Sequence, residues 1–573
     1  MALVQALDQR TTMQVGENGN VEHGWSADVQ EKFCQFFFQL VRTKNMVALE
    51  HQLDTLIREL KGKRETYALL GALYKMVGQT RDIVAGKGEY SLAFMQLWVW
   101  YQHYPELALY AFTRFFYATE SDSQTEHPYG SWKDIKYFAD YVKRKSGTEN
   151  HPFIKKAISF MVNQLRVDYE KFMNGEPISL AAKWCPREKS KYTWLYHAIV
   201  REFRTDYFTS ALTHSQLSAA RKKASREFRR MLSSMNKYLQ TTQIAQCKNE
   251  WSTIDFNNVT SITMNKNKLA FQNKTKMGNV RSCYEDRVQC AENLKQHIVE
   301  SIKPNGTAKV HGKRVNVYEL VKSAIMSRSQ EDRDITNLQW ADNATQNAGL
   351  ANFIAMADTS GSMTVDNNIP LYNSIGLAIR VSELTNDAYK NRVMTFSAVP
   401  EWVDLSQCET FVDKVGVVSH CNWGMNTNFY GALKLILDVA VKNQLPPSEV
   451  NNMVLAVFSD MQIDAASNEN FDTMYENIEK MYANAGLQTQ WKTAYKPPHI
   501  LFWNLRSTTG FPTLSSQKNV TMLSGYSAVL LNAFQKKGIE GLREFTPYKM
   551  ICDVLNHERY NVLENKFYNS VEF

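Results

Sequence analysis

The side chains whose types and spacing best support chemistry are Asp358, Ser360 and Ser362, within the run Phe353 to Met363, FIAMADTSGSM. An apolar run that stops abruptly at an acid and a group of hydroxyls predicts a buried parallel strand ending in a polar loop. One carboxylate and two hydroxyls alternate along that loop, so their oxygens can converge on one hard cation: Mg²⁺, or Mn²⁺ or Ca²⁺ in its place. Two further oxygen donors stand downstream. Thr427 directly precedes the amphipathic run Phe429 to Val441, and Asp460 closes a second apolar run, Met453 to Phe458. A cation held by Asp358, Ser360 and Ser362, with Thr427 and Asp460 direct or through water, keeps a position that an external carboxylate could fill. That is a binding mechanism and needs no turnover.

The order of these parts resembles the von Willebrand factor A family with its metal-ion-dependent adhesion site. The resemblance covers residues 351–573 and implies that Asp358, Ser360 and Ser362 form the first metal loop, Thr427 the second and Asp460 the third. It implies a doubly wound, mostly parallel sheet and a divalent metal cofactor. The family's third loop often continues Asp-Gly, whereas this chain has Asp460-Met461.

Enzymatic readings find less support. A haloacid-dehalogenase-type phosphatase also starts from a strand-end aspartate, but it needs a second aspartate for proton transfer where this chain has Ser360. Thr359 to Met363 does not supply the Gly-x-Ser-x-Gly elbow of a serine hydrolase. Walker, zincin and dinucleotide motifs are absent. His420 and Cys421 are adjacent but lack a partner pair and read as loop and core residues, and Asp464 reads as a solvated acid or as a support behind the Asp460 ligand.

The elements that must position the loop alternate along the C-terminal part. Strands are expected at Arg392 to Phe396, Met453 to Phe458, His499 to Leu505 and Val520 to Leu523, with an antiparallel edge strand at Trp402 to Leu405. Helices are expected at Asn373 to Leu384, Phe429 to Val441, Phe471 to Ala485 and Ser527 to Phe534. Such alternation predicts a parallel sheet with helices on both faces, and ligands bind outside the carboxyl ends of its strands. Asp358 and Asp460 both fall there.

Residues 27–328 read as a large helical domain, repeat-like or ring-like, after a tail at 1–26. Val29 to Val41, Glu65 to Val77, Ser91 to Tyr117, Trp132 to Lys145 and Ile154 to Met173 place apolar residues three or four apart, with breaks at Gly, Pro and Asn/Ser clusters. The polar segment 329–350 reads as a linker, with Trp340 as an anchor. The fold class is therefore α + α/β.

Charge is unevenly placed. Lys183 to Arg281 holds 19 Lys and Arg against 6 Asp and Glu, more positive than the +8 of the whole chain. Within it, Leu217, Ala220, Ala224, Phe228, Met231, Met235 and Tyr238 form one apolar helix face. Arg221, Lys222, Arg226, Arg229 and Arg230 lie around the rest, and Lys183 and Arg187 stand upstream. A core helix with a solvated basic face has this pattern too. The concentration of charge is also what a polyanion-binding surface requires, with Trp184, Tyr192, Trp194, Tyr196, Phe203 and Phe228 available to stack on bases.

A basic helical region followed by a metal-loop domain resembles the Ro-type, or TROVE, ribonucleoprotein architecture. Ser179-Leu-Ala-Ala-Lys-Trp-Cys-Pro186 and Trp251-Ser-Thr-Ile-Asp-Phe256 resemble an uncharacterised family of plants, fungi and large DNA viruses with the same order. The Ro resemblance implies binding of structured or single-stranded RNA.

Eight cysteines without a C-x-x-C pair, and Met1 to Arg10 without a basic flank and apolar core, predict reduced thiols and a cytoplasmic protein. No window reaches the roughly 18 apolar residues of a membrane span, so no membrane partner is expected. Three functions are compatible with these features: a Ro-like RNA-binding scaffold, a protein-only adaptor working through the metal site, and an uncatalogued metal enzyme.

Overall fold

The structure is a computed structural model that describes residues 12–17, 19, 21–44, 46–118, 127–396, 400–421, 429–462, 474–535 and 539–572. It divides into two compact units. One takes Met1–Thr80, Val84–Leu92 and Val310–Phe573, and the other takes Arg81–Ile83 and Ala93–Lys309.

The first unit is built on a six-stranded sheet. After a small antiparallel hairpin of β1 (Met13–Val15) and β2 (Val21–His23), its strands are β3 (Phe353–Asp358), β4 (Arg392–Phe396), β5 (Glu401–Asp404), β6 (Val454–Ser459), β7 (His499–Asn504) and β8 (Val520–Ser524). They lie in the order β5-β4-β3-β6-β7-β8. All neighbours are parallel except β4 and β5, whose antiparallel register pairs Val393 with Val403. The expected edge strand is therefore present.

Every residue of β3, β6, β7 and β8 is buried. Continuous apolar sequence is what a strand covered on both faces needs. Because successive side chains point to opposite faces, Ile354, Met356, Leu455, Val457, Ile500 and Phe502 share one core with Leu433, Leu437, Ile478 and Tyr482 of helices Phe429–Lys442 and Met474–Gln488. Helix Val365–Leu384 packs against β3, β4 and β6, and its Ser374 hydroxyl donates to the Phe458 carbonyl at 3.0 Å. This helix is entered through a left-handed turn, Asp366-Asn367-Asn368, a conformation that Asp and Asn tolerate better than most residues. The helix expected at Ser527 to Phe534 is a 3₁₀-helix over Ala528–Phe534.

One N-terminal expectation changes. Helix Val29–Gln39, expected in a separate helical domain, packs on β8 and on helix Pro547–Leu555, and Phe38 enters the sheet's core. Asn504 donates to the Phe38 carbonyl, and the buried Lys87 ammonium bonds the Phe37 and Leu40 carbonyls and the Ser524 hydroxyl. Helical periodicity reports that a face is buried but not which core it covers.

The segment expected as a linker is also structured. Ser329 caps helix Gln330–Ala344, and Trp340 stacks on Phe411 with ring centroids 3.9 Å apart. Its polar residues are buried and bonded: Asp342 accepts from the Gly312 and Lys313 amides, and Asn343 donates to the Val315 carbonyl. Polarity here holds a loop in place, which composition alone does not separate from solvation. Helix Val317–Ile325 lies so close to Gly376 that a Cβ there would clash with Val317 and Val321.

The second unit is helical. The expected helix from Ser91 to Tyr117 is broken between Tyr90–His103 and Pro105–Thr113, because the residue before a proline disfavours the helical region. The longest helix among the described residues, His214–Tyr238, starts with a capping box between Thr213 and Gln216. Its buried face is Ala224, Ser225, Phe228, Leu232, Met235 and Asn236, so Leu217, Ala220, Met231 and Tyr238 of the expected stripe lie outside the core.

Candidate functional site

β3 and β6 are adjacent, and the strand order reverses between them. This topological switch point is where open α/β sheets form a crevice at the carboxyl ends of their strands. β3 ends on Asp358, and Asp460 directly follows β6, so each strand delivers a carboxylate to that place. Both acids are fully buried, as are Thr359 and Ser459, and Ser360 is 1% exposed.

The loop after β3 is held by its own polar groups. The Ser360 amide donates to Asp358 Oδ1 at 2.9 Å, and the Ser360 and Ser362 hydroxyl oxygens are 3.0 Å apart. From β6, the Ser459 hydroxyl donates to Asp358 Oδ2 at 2.5 Å, and the Gln462 amide donates to Asp460 Oδ1 at 3.2 Å. Asp358, Ser360, Ser362 and Asp460 thus lie close to one another. Thr427 lies outside the described residues, as does Asp464.

Two buried carboxylates this close are electrostatically costly. Burial pushes the Asp358 pKa up to about 7, the negative charge of Asp460 adds to the rise, and hydrogen bonds from Ser360 and Ser459 oppose it. Burial also raises Asp460, against the pull of the Arg506 guanidinium, the Gln462 amide and the Ser362 hydroxyl. Asp460 Oδ2 accepts no hydrogen bond; Arg506 Nε is 3.0 Å away but out of line for one. A buried carboxylate oxygen whose close partner is an ion-paired guanidinium, beside hydroxyls and a second carboxylate, belongs to an oxygen-rich group whose chemistry fits a hard divalent cation. Among the described residues no three His, Cys, Asp or Glu side chains gather into a group that could hold a metal ion.

Several participants escape a reading of motifs. Ser459 stands beside Asp460 but reads as strand. Arg506 follows the end of β7 and places its charge against Asp460, while its other arm bonds Glu17 Oε2 at 3.0 Å. Glu17 is fixed in turn, its amide donating to Gln462 Oε1 at 3.2 Å. A charged residue just beyond the carboxyl end of a central parallel strand was the available signal for Arg506. No local signal marks Glu17, which lies between β1 and β2. His420 and Cys421 bond back to the Gly416 and Val417 carbonyls of their own helix.

The basic candidates divide into groups. Arg221, Lys222, Arg226 and Arg230 are exposed on helix His214–Tyr238. Lys183, Arg187 and Arg229 line a cavity of about 980 Å³ within the helical unit, where Arg229 is ion-paired with Glu188. Arg230 instead borders a smaller cavity of about 350 Å³ with Phe203 and Phe228. Tyr192, Tyr196 and Phe228 are core residues, while Trp184 and Trp194 are half-buried, each with a lysine over its ring.

Residues 352–564 match a family described as a domain of unknown function, DUF7788, and residues 137–345 match another, DUF2828. The chain is similar to "Uncharacterized protein L728" of Acanthamoeba polyphaga mimivirus. The two are 29% identical over 460 residues, covering 77% of this chain and 73% of the relative. No described helix is long and apolar enough to cross a membrane.

Proposed function

We propose that this chain is a non-enzymatic, divalent-metal-dependent binding protein of the von Willebrand factor A type, joined to a basic helical unit that binds RNA in the manner of Ro-type proteins. The observation that carries the reading is the pair of buried carboxylates at the β3/β6 switch point, with the Ser360 and Ser362 hydroxyls beside them and Asp460 Oδ2 accepting no hydrogen bond. Asp358, Ser360, Ser362 and Asp460, with Thr427, would hold Mg²⁺, or Mn²⁺ or Ca²⁺. When bound, the ion supplies an open position for an oxygen of a partner, such as a carboxylate.

The residues of the chain do the rest. Ser459 and the Ser360 amide orient Asp358, and Gln462 orients Asp460. Arg506 supplies positive charge to Asp460 in the absence of a cation and must yield some of that interaction when one enters. Ser360 stands where a phosphatase loop would carry its acid/base, which favours binding over turnover. The exposed arginines of helix His214–Tyr238 supply phosphate contacts.

The test is to purify the full chain without nuclease and compare what stays bound in Mg²⁺ and in chelator. The proposal expects RNA that is released by salt and retained by Asp358→Ala, and a protein partner that chelator or Asp358→Ala releases. Partner retention with no RNA favours the protein-only adaptor. Phosphoester turnover lost in Asp460→Ala would replace both with the enzyme.

A further inference from the structure

The cavity of about 980 Å³ in the helical unit has a composition that its own fold does not require. Lys136 reaches it from helix Asp134–Ser146, Lys183, Arg187 and Lys189 from the segment around Trp184, and Arg229 from helix His214–Tyr238. Glu188 is the one carboxylate in the lining, and it is taken by Arg229. Among the described residues, no acid pairs with Lys136, Lys183, Arg187 or Lys189.

Lys136 and Lys183 are half-buried, and burial holds both below the usual lysine range, with Arg187 and Lys133 adding repulsion at Lys136. Their ammonium groups turn to an indole face. Lys136 Nζ is 4.9 Å and Lys183 Nζ 5.9 Å from the centroid of the half-buried Trp184 ring. A cation–π contact is a weak substitute for an anion. A phosphate would give each lysine a charge-assisted hydrogen bond and free the indole face for a planar ring. Volume, unpaired cations and a half-buried indole together describe a nucleotide-sized site rather than a surface for a duplex.

We propose that this cavity binds a phosphorylated nucleoside, its phosphate on Lys136, Lys183 and Arg187 and its base against Trp184. As the terminal nucleotide of an RNA, the ligand rests on the RNA binding proposed above; as a free mononucleotide it does not.

The experiment uses the full chain and a short single-stranded RNA in three forms: 5′-phosphorylated, 3′-phosphorylated and hydroxyl-ended. Binding is read by fluorescence anisotropy, and AMP binding by calorimetry. One phosphorylated form should bind about tenfold tighter than the hydroxyl-ended RNA, the scale of one or two charge-assisted bonds. The lysine variant Lys136→Gln should remove most of that difference while leaving hydroxyl-ended binding intact. Arg221→Gln with Lys222→Gln should weaken all three RNAs alike and keep the difference. AMP binding that the lysine variant abolishes, with no RNA bound, sustains the pocket and overturns the RNA reading. RNA binding without discrimination, and without AMP binding, overturns the pocket and leaves the RNA reading standing. If neither RNA nor AMP binds, both are overturned. Discrimination that survives the lysine variant also overturns the pocket.

Discussion

Replacing Asp358 with asparagine should make the metal-free protein more stable at alkaline pH. In the folded state burial and Asp460 hold Asp358 protonated up to about pH 7, whereas in the unfolded chain it ionises near its ordinary value of 3.8. Between those values the folded state binds the extra proton, so stability falls as pH rises through the window and the loss is complete above about 7. A rise of roughly three pH units at about 1.4 kcal/mol each gives a loss on the order of 4 kcal/mol, shared between two interacting carboxylates. The asparagine amide carries no charge, so Asp358→Asn should escape most of this loss while keeping the shape of the side chain.

Urea unfolding in chelator should therefore show the variant more stable than the native chain by a few kcal/mol near pH 8, with the gap narrowing as pH falls and closing near about pH 4. Mg²⁺ should reverse the order near pH 8, because the ionised native site gains a ligand-linked increment that the variant lacks. Parallel pH profiles for the two proteins, or equal stabilisation of both by Mg²⁺, would refute the electrostatic account of the site.

Arg506→Ala removes the cation beside Asp460, so Mg²⁺ affinity near pH 8 should rise about tenfold by calorimetry while the metal-free protein loses stability. Gly376→Ala forces a methyl into Val317 and Val321 and should cost about 1–3 kcal/mol in urea unfolding. Gly361→Ala meets open space and should stay within about 0.5 kcal/mol. Neutralising Arg221, Lys222, Arg226 and Arg230 should weaken RNA binding and flatten its dependence on salt, the log–log slope falling by about one for each phosphate no longer neutralised.

Much of the α/β unit was legible because its signals are local. A fully buried strand announces itself as an apolar run, and Asp358 and Asp460 mark where β3 and β6 stop. The pattern also placed the antiparallel edge strand at β5. What was not legible depends on distant partners. Arg506 and Glu17 meet Asp460 and Gln462 across more than 40 residues, or across most of the chain. The buried polar side chains of helix Gln330–Ala344 look like a linker until the loop they bond is known. Helix Val29–Gln39 shows an apolar face, and only tertiary structure assigns that face to β8. In the basic region the charge was visible, but not the division between an open helix face and a cavity. That division depends on which lysines fold inward over Trp184.

The central claim is that the two strand-end acids form one metal site, and electron paramagnetic resonance of Mn²⁺ titrated into the full chain near pH 8 tests it most directly. The account predicts one bound ion per chain, displaced by Mg²⁺, lost in Asp358→Asn and in Asp460→Asn, and retained in Arg506→Ala. Mn²⁺ that stays free at millimolar concentration, or binding that persists in both aspartate variants, would contradict it.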